Sequence, residues 1–476
     1  MIDSENLSRL SEPTGRFLFY TIVLALALLP TSCRMPGSQQ NAPIAASATP
    51  KRVADTIEAP LRIATSGDYR PFSVWPPGSA EPRGFSIAVA QAYAKDRGVA
   101  IEWVRVRWPE LAGDLAADRF DLALSGITIR PDRVILGRFS VPLTTSGAVL
   151  LVPGSSLYET ATELNHESVR LAVNAGGHLE RVARALFPAA TIDAIPDNAA
   201  VLGRLAVQPE QLAADAVVSD SLEAPLWQAS RPDLRAIGPL TRDNKAAWFP
   251  PSRRAEARRF DAWLLRAEAS GELGRVRRRY ALPDERTAQP VAALLASLDE
   301  RLSLMKRVAQ TKRLSGAPVE DRLRELRVLA AARSATVAAA ARAHRAAPDR
   351  EALDAFFGAQ IEAAKWIQRR TLAEPASPQE WPDQDLETGR EELEQRIRPA
   401  LLYLGDRIAW LIVESTAAGD ASPSEQEVAH ALERHALPQS ILRELTESLR
   451  QILRDGTRTG RMRRPRPART GRAASG

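Results

Sequence analysis

Along the second half of the chain, cations and one amide fall at spacings that could converge on a dianion. Arg301 and Lys312 are eleven residues apart, about three helical turns, so both are expected to project from one face of one helix. Arg324 and Glu325 open the next helix, behind the entry Pro318-Val319-Glu320-Asp321. Ala364 and Gln368 share a face further on, and Arg398 begins another helical stretch. Taken singly, each Arg or Lys is most often a solvated charge. Taken in order, they suit a catalyst that clamps carboxylates and donates hydrogen bonds to an oxygen as its bond breaks, without a nucleophile or a metal.

Such side chains need long helices to hold them. Beyond Pro290 strand signals vanish: Leu294, Leu295, Leu298, Leu302, Met305 and Val308 keep helical spacing, and Ala/Leu/Arg/Glu stretches run to about Leu453. Only Ser315–Pro318 and a Pro-rich loop from Glu374 to Asp385 interrupt them. The texture before Pro283–Pro290, which reads as a short polar joint, is different. Leu61–Thr65, Ile101–Val104, Phe120–Leu124, Val169–Val173 and Ala216–Val218 read as strands, and Phe85–Arg97 as a helix with Ile87, Ala90 and Ala94 inward. This alternation is an α/β arrangement.

At 476 residues the chain predicts two or three domains. The net charge of +6 suggests a nucleic-acid partner until it is located: seven arginines and no acid follow Gly456, leaving the rest at −1. A basic tail is expected there, not a nucleic-acid-binding face. Arg16 precedes an apolar run from Phe17 to Leu29, the length of an export signal and too short to span a bilayer. The single cysteine, Cys33, follows it, so no internal disulfide forms; it resembles the lipidated cysteine of a bacterial lipoprotein. Lipidation at Cys33, with a membrane tether, and simple cleavage both stay open, and either implies export to the periplasm. The expected plan is a signal peptide over 1–33, a linker over 34–57, an α/β domain over 58–284, a helical domain over 291–455 and a disordered basic tail over 456–476. Five scattered histidines suggest no metal site, and no phosphate-binding glycine loop or nucleotide fingerprint is present, so no cofactor is expected.

The string Leu298-Asp299-Glu300-Arg301-Leu302-Ser303-Leu304-Met305, Val308-Ala309…Lys312, Pro318-Val319-Glu320-Asp321…Arg324-Glu325 and Phe356-Phe357…Gln360-Ile361-Glu362-Ala363-Ala364…Gln368 resembles exported AroQ-class chorismate mutases over about residues 291–415. The resemblance implies an all-α fold in which Arg301, Arg324 and Arg398 bind the carboxylates of chorismate. Arg390 is a competing alignment for Arg398. Lys312 and Gln368 would hydrogen-bond the ether oxygen, and Glu325 would meet the ring hydroxyl. Ala364 stands where a small hydroxyl residue is usual. As an amide, Gln368 can donate at any pH.

The first half resembles the two-lobed periplasmic solute-binding proteins over about residues 59–283, through Thr65-Ser66-Gly67-Asp68-Tyr69-Arg70-Pro71-Phe72, Gly84-Phe85, Gly126-Ile127-Thr128…Arg133, Phe139-Ser140-Val141-Pro142 and Ala216…Asp220. That implies a carboxylate site at Thr128 and Arg133, with Asp220 in the cleft. Thr65–Ser73, Trp108-Pro109-Glu110-Leu111 with Asp118-Arg119-Phe120-Asp121, and Ser219–Ala224 resemble cyclohexadienyl dehydratases, an enzyme branch of that fold acting on prephenate or arogenate. The resemblance makes Glu223 the acid that protonates the leaving hydroxyl, kept neutral by burial. The chain departs from that branch at Ala148 (Lys there), Leu143 (Tyr), Ser86 (Asp) and His178 (Thr). His178 is expected at the ligand carboxylate, moving protons, or capping the turn.

Together the halves read as a multidomain exported enzyme: a two-lobed α/β dehydratase domain followed by an all-α chorismate mutase domain, running two consecutive steps toward phenylalanine. The alternative is an active mutase joined to a non-catalytic, amino-acid-type receptor domain. A homodimer is compatible with either.

Overall fold

The structure is a computed structural model that describes residues 59–205, 214–375, 386–419 and 422–462. The export signal, Cys33 and the 34–57 linker lie outside the described residues, as do the arginines of the tail beyond Met462. Among the described residues no helix is long and apolar enough to cross a membrane.

Thirteen strands and eight helices come first among the described elements. The strands are β1 (Leu61–Thr65), β2 (Asp68–Tyr69), β3 (Ser73–Val74), β4 (Ile101–Arg105), β5 (Leu122–Thr128), β6 (Arg138–Phe139), β7 (Thr144–Ser146), β8 (Ala148–Pro153), β9 (Arg170–Asn174), β10 (Thr191–Ile195), β11 (Ala216–Asp220), β12 (Leu234–Ile237) and β13 (Asp243–Phe249). The helices among them are α1 (Phe85–Arg97), α2 (Leu111–Ala116), α3 (Pro131–Val134), α4 (His178–Leu186), α5 (Asn198–Val201), α6 (Ala224–Ser230), α7 (Arg254–Ala269) and α8 (Glu272–Arg279). Two sheets result, ordered β4-β1-β5-β13-β6, with β7 also on β13, and β10-β9-β11-β8-β12. β4, β1 and β5 are mutually parallel, as are β10, β9 and β11. These sheets are covered on both faces, which is why β5 and β11 are buried at every residue. Each sheet is one lobe. The chain passes from lobe 1 to lobe 2 at Gly147, between β7 and β8, and returns between β12 and β13.

The helical region follows as α9 (Pro290–Ser303), α10 (Met305–Ser315), α11 (Arg322–Arg342), α12 (Arg350–Ala373), α13 (Leu386–Glu392), α14 (Arg398–Ala418), α15 (Glu425–Ala431) and α16 (Gln439–Met462). Two expectations change. Arg301 and Lys312 do not share one helix, because a break at Leu304 separates α9 from α10. α16 runs through 456–462, so the basic tail does not begin at Gly456. The 283–290 joint is exposed over Pro283–Arg286 and then docks: Thr287 and Ala288 are buried, and Thr287 Oγ1 donates to the Pro142 carbonyl at 2.8 Å. Arg277 pins the same joint, pairing with Glu268 at 2.8 Å and donating to the Leu143 carbonyl and to Thr287 Oγ1.

One continuous apolar core consequently runs from Ile63 and Phe72 of lobe 1 through Leu294 and Leu302 to Ile412 and Ile452, while lobe 2 keeps its own clusters around Leu150 and Leu151. The helical region is therefore anchored to lobe 1, and α3 rests on α9.

Candidate active site

Parallel α/β sheets leave a crevice beyond the carboxyl ends of their strands. That is where the polar residues of the cleft collect. Thr128 ends β5, Asn174 ends β9 and Asp220 ends β11. Tyr69 follows β1, and Asn198 opens α5 just beyond β10. Tyr69, Trp108, Thr128, Arg133, His178 and Lys245 are among the walls of the cleft. Gly126 makes room for the aromatic wall: its φ is +67°, and a Cβ there would lie 2.6 Å from the Phe72 ring and 2.9 Å from Tyr69.

Arg133 is 5 % exposed, and among the described residues its side chain makes a single hydrogen bond, from Nη1 to the Thr128 carbonyl at 3.3 Å. Its guanidinium stands 6.0 Å from the ring centres of both Trp108 and Trp248. Burial, with added repulsion from Arg130, pulls its pKa down to about 9. A buried cation without a carboxylate partner is the group a ligand carboxylate would satisfy.

Asp220, fully buried, is already satisfied. Its Oδ2 accepts from Ser146 Oγ at 2.7 Å and lies 3.0 Å from Lys245 Nζ, while Oδ1 accepts from the Leu222 N–H at 2.9 Å. Lys245 reaches it from β13, where the register sets it opposite Thr128, and Nζ also donates to Thr128 Oγ1 at 2.8 Å. Ala148 stands across from Asp220 in the lobe 2 sheet, so the cation beside this carboxylate comes from β13 instead.

Glu223 is 1 % exposed. Oε1 accepts from Asn198 Nδ2 at 2.8 Å and Oε2 from Ser219 Oγ at 3.1 Å. Burial, which outweighs these hydrogen bonds and is reinforced by the Asp220 charge, pushes its pKa to about 8, so the group is a neutral acid at pH 7. It sits behind Asn198, whose side chain lines the cleft and also donates to the Asp68 carbonyl at 3.1 Å across the lobes.

His178 begins α4 and lines the cleft. Its Nε2 lies 2.9 Å from Asp243 Oδ2, but out of line for a hydrogen bond, and neither ring nitrogen has a hydrogen-bond partner. Burial lowers its pKa in spite of Asp243, so the ring is neutral at pH 7. It does not cap a turn.

In the helical region Lys312, Arg324 and Glu325 come together. Lys312 Nζ donates to the Val319 carbonyl at 3.1 Å; burial lowers its pKa, and the nearby Arg324 charge lowers it further. Asp321 caps α11 by accepting from the Arg324 N–H. Glu325 lies 3.4 Å from Lys365. Gln368, buried on α12, donates to the Ala364 carbonyl at 3.2 Å and lies 3.7 Å from Met305 Sδ, with its own Oε1 unpartnered. Arg301 is largely buried, has no ion-pair partner among the described residues, and is shifted down by burial alone. Arg398 departs from expectation. It is 44 % exposed and paired with Glu394 at 3.1 Å, because a π-turn over Leu393–Ile397 leads into α14 and leaves both on the outer face. Arg390 is exposed beside the same glutamate.

Two cleft residues escaped the sequence reading. Lys245 had a signal, a lysine inside the otherwise strand-like Asp243–Phe249. Asn198 had none, since Asp197-Asn198 reads only as a helix start.

This architecture has known counterparts. Residues 61–283 match the bacterial extracellular solute-binding proteins, family 3. A cyclohexadienyl dehydratase of Pseudomonas aeruginosa is 35 % identical over 217 residues, covering 45 % of this chain and 79 % of that protein. Through this segment the chain belongs to that solute-binding family. An L-cystine-binding protein of Escherichia coli K12 is 30 % identical over 111 residues, 23 % of this chain and 41 % of that one. Among solved structures, an ancestral amino acid-binding protein described as a precursor of cyclohexadienyl dehydratase is 27 % identical. It covers 47 % of this chain and 95 % of its own, with a TM-score of 0.43. The matched family segment ends at residue 283, before the helical region begins.

Proposed function

We propose that the chain is an exported, periplasmic enzyme with two activities. The helical region converts chorismate into prephenate, and the two-lobed domain converts prephenate or arogenate into phenylpyruvate or phenylalanine. The observation that carries the second step is Glu223, a buried carboxyl held neutral up to about pH 8 behind Asn198 of a cleft whose Arg133 has no ion-pair partner among the described residues. Similarity to the Pseudomonas dehydratase supports it independently.

In this reaction Arg133 binds a substrate carboxylate, and Glu223 gives its proton to the ring hydroxyl, which leaves as water. The ring carboxylate departs as carbon dioxide, and the electrons of the broken carbon–carbon bond complete the aromatic ring. Because Glu223 is shut off from solvent, its hydrogen bond to Asn198 must yield as the ligand seats. For the mutase step, Lys312 and Gln368 donate to the ether oxygen, while Arg301 and Arg324 hold carboxylates. Arg301, largely buried and without an ion-pair partner among the described residues, supports this reading of the helical region.

The test supplies purified protein with chorismate and follows the products. Phenylpyruvate as end product supports both steps, and Glu223→Gln should then stop the reaction at prephenate. Accumulation of prephenate by the unmodified protein leaves the two-lobed domain as a receptor. Chorismate consumed no faster than without protein overturns the mutase assignment.

A further inference from the structure

The charges in the cleft also bear on which acid it takes. An α-amino acid brings an ammonium, which on burial needs an anionic or strongly polar acceptor; a keto acid of the same shape does not. The carboxylates around the cavity are already engaged. Asp220 is closed to solvent and accepts from Ser146, Lys245 and the Leu222 N–H. Asp243 accepts from Thr241 Oγ1 at 2.8 Å and faces His178. Glu223 is neutral and held by Asn198 and Ser219. Asp68 accepts from Trp108 Nε1 at 3.2 Å and lines a separate outer groove beside Arg105, Arg107 and Arg119.

The positive side is different. Among the described residues Arg133 has only a main-chain carbonyl for a partner, and Lys245 Nζ lies in the cleft wall against Asp220. The Lys245 ammonium thus occupies the position beside Asp220 that a ligand ammonium would need, while the unmet demand of the cleft is for negative charge.

We propose that the Lys245–Asp220 pair makes this cleft selective for organic acids that lack an α-ammonium, so that it takes prephenate in preference to arogenate. The choice of these two substrates rests on the dehydratase reading; the selection by charge does not. Lys245 acts as an internal substitute for the ammonium, and the keto oxygen of a bound acid meets donors at the position where an ammonium would meet Lys245.

Two measurements on the full chain separate the proposal from that reading. Calorimetric titration with phenylpyruvate and with L-phenylalanine tests the selection without turnover. Steady-state assay with prephenate and with arogenate tests the reaction. Phenylpyruvate is expected to bind about tenfold or more tightly than phenylalanine. Lys245→Met should erase or reverse that ratio by releasing Asp220, and Lys245→Arg should preserve it. Phenylalanine binding as tightly as phenylpyruvate to the unmodified protein overturns the proposal, as does failure of both to bind, even if prephenate is consumed. Retention of the binding ratio with neither cyclohexadiene acid consumed removes the dehydratase reading and leaves the charge selection standing.

Discussion

Arg407 of α14 donates through Nη1 to the Phe139 carbonyl of lobe 1 at 2.8 Å, and its Nη2 closes on Glu300 of α9. Both partners of the ion pair are buried, with Asp261 and Tyr403 beside them. One side chain therefore ties two helices of the helical region to the edge of the α/β domain.

Removing one partner of such a pair leaves an uncompensated buried charge. Arg407→Met is expected to lower stability by about 3–5 kcal/mol, and Arg407→Met with Glu300→Leu to recover most of that loss. Denaturant unfolding checks this. A single transition for lobe 1 and the helical region, lowered as a whole in the single variant, is the expected result.

Glu223 gives a pH dependence of known sign. In its proposed role as proton donor it must be protonated, so dehydratase turnover should hold below pH 8 and fall above it, and Glu223→Gln should cost about 10²- to 10⁴-fold. Stability follows the same direction. The folded carboxyl titrates near 8 and its unfolded form near 4.5, so between these values the native state holds the extra proton. Stability is then full below about pH 4.5 and is lost as pH rises through 8; Glu223→Gln should flatten that slope in unfolding experiments across the window.

Arg133 should dominate ligand affinity. Arg133→Met is expected to weaken binding of a carboxylate ligand by about 10²-fold or more, as truncation of a buried charged contact does. Arg133→Lys should recover little, because a single ammonium cannot replace a fork of donors. Calorimetry with phenylpyruvate reads both.

In the helical region two variants separate stability from turnover. Arg301 is largely buried and has no ion-pair partner among the described residues, so Arg301→Met should leave thermal stability equal or higher while, on the proposed function, abolishing chorismate turnover. Gln368→Glu should make turnover depend on acid, since a carboxylate cannot donate until protonated. A pH–rate profile that stays flat in Gln368→Glu would remove Gln368 from the ether oxygen.

Several elements were legible because local chemistry decides them. Phe85–Arg97 forms α1 with those bounds because Gly84 precedes it and Gly98 closes it in the left-handed conformation at φ +69°. Asp321 and Asp349 cap α11 and α12 from the positions their types predict. The break at Leu304 was not legible: its φ and ψ of −76° and −12° are near-helical, and Leu carries no breaker signal. Nor was the outward turn of Arg398, which a π-turn decides.

The sequence by itself determined the two textures of the chain and the residue types able to meet carboxylates, but it ended two strands at Leu124 and Val218, short of Thr128 and Asp220, which close β5 and β11. Periodicity and capping act over a few residues and can be read from them. Tertiary structure alone decided which charges are already satisfied. Lys245 and Asp220 are 25 residues apart in the chain and 3.0 Å apart in the fold, while Arg133 is left with a carbonyl. Pairing depends on how two lobes close over a cleft and on the water they exclude. The same exclusion of water raises the Glu223 carboxyl to about 8, in the direction the dehydratase resemblance implied and no local sequence feature could fix.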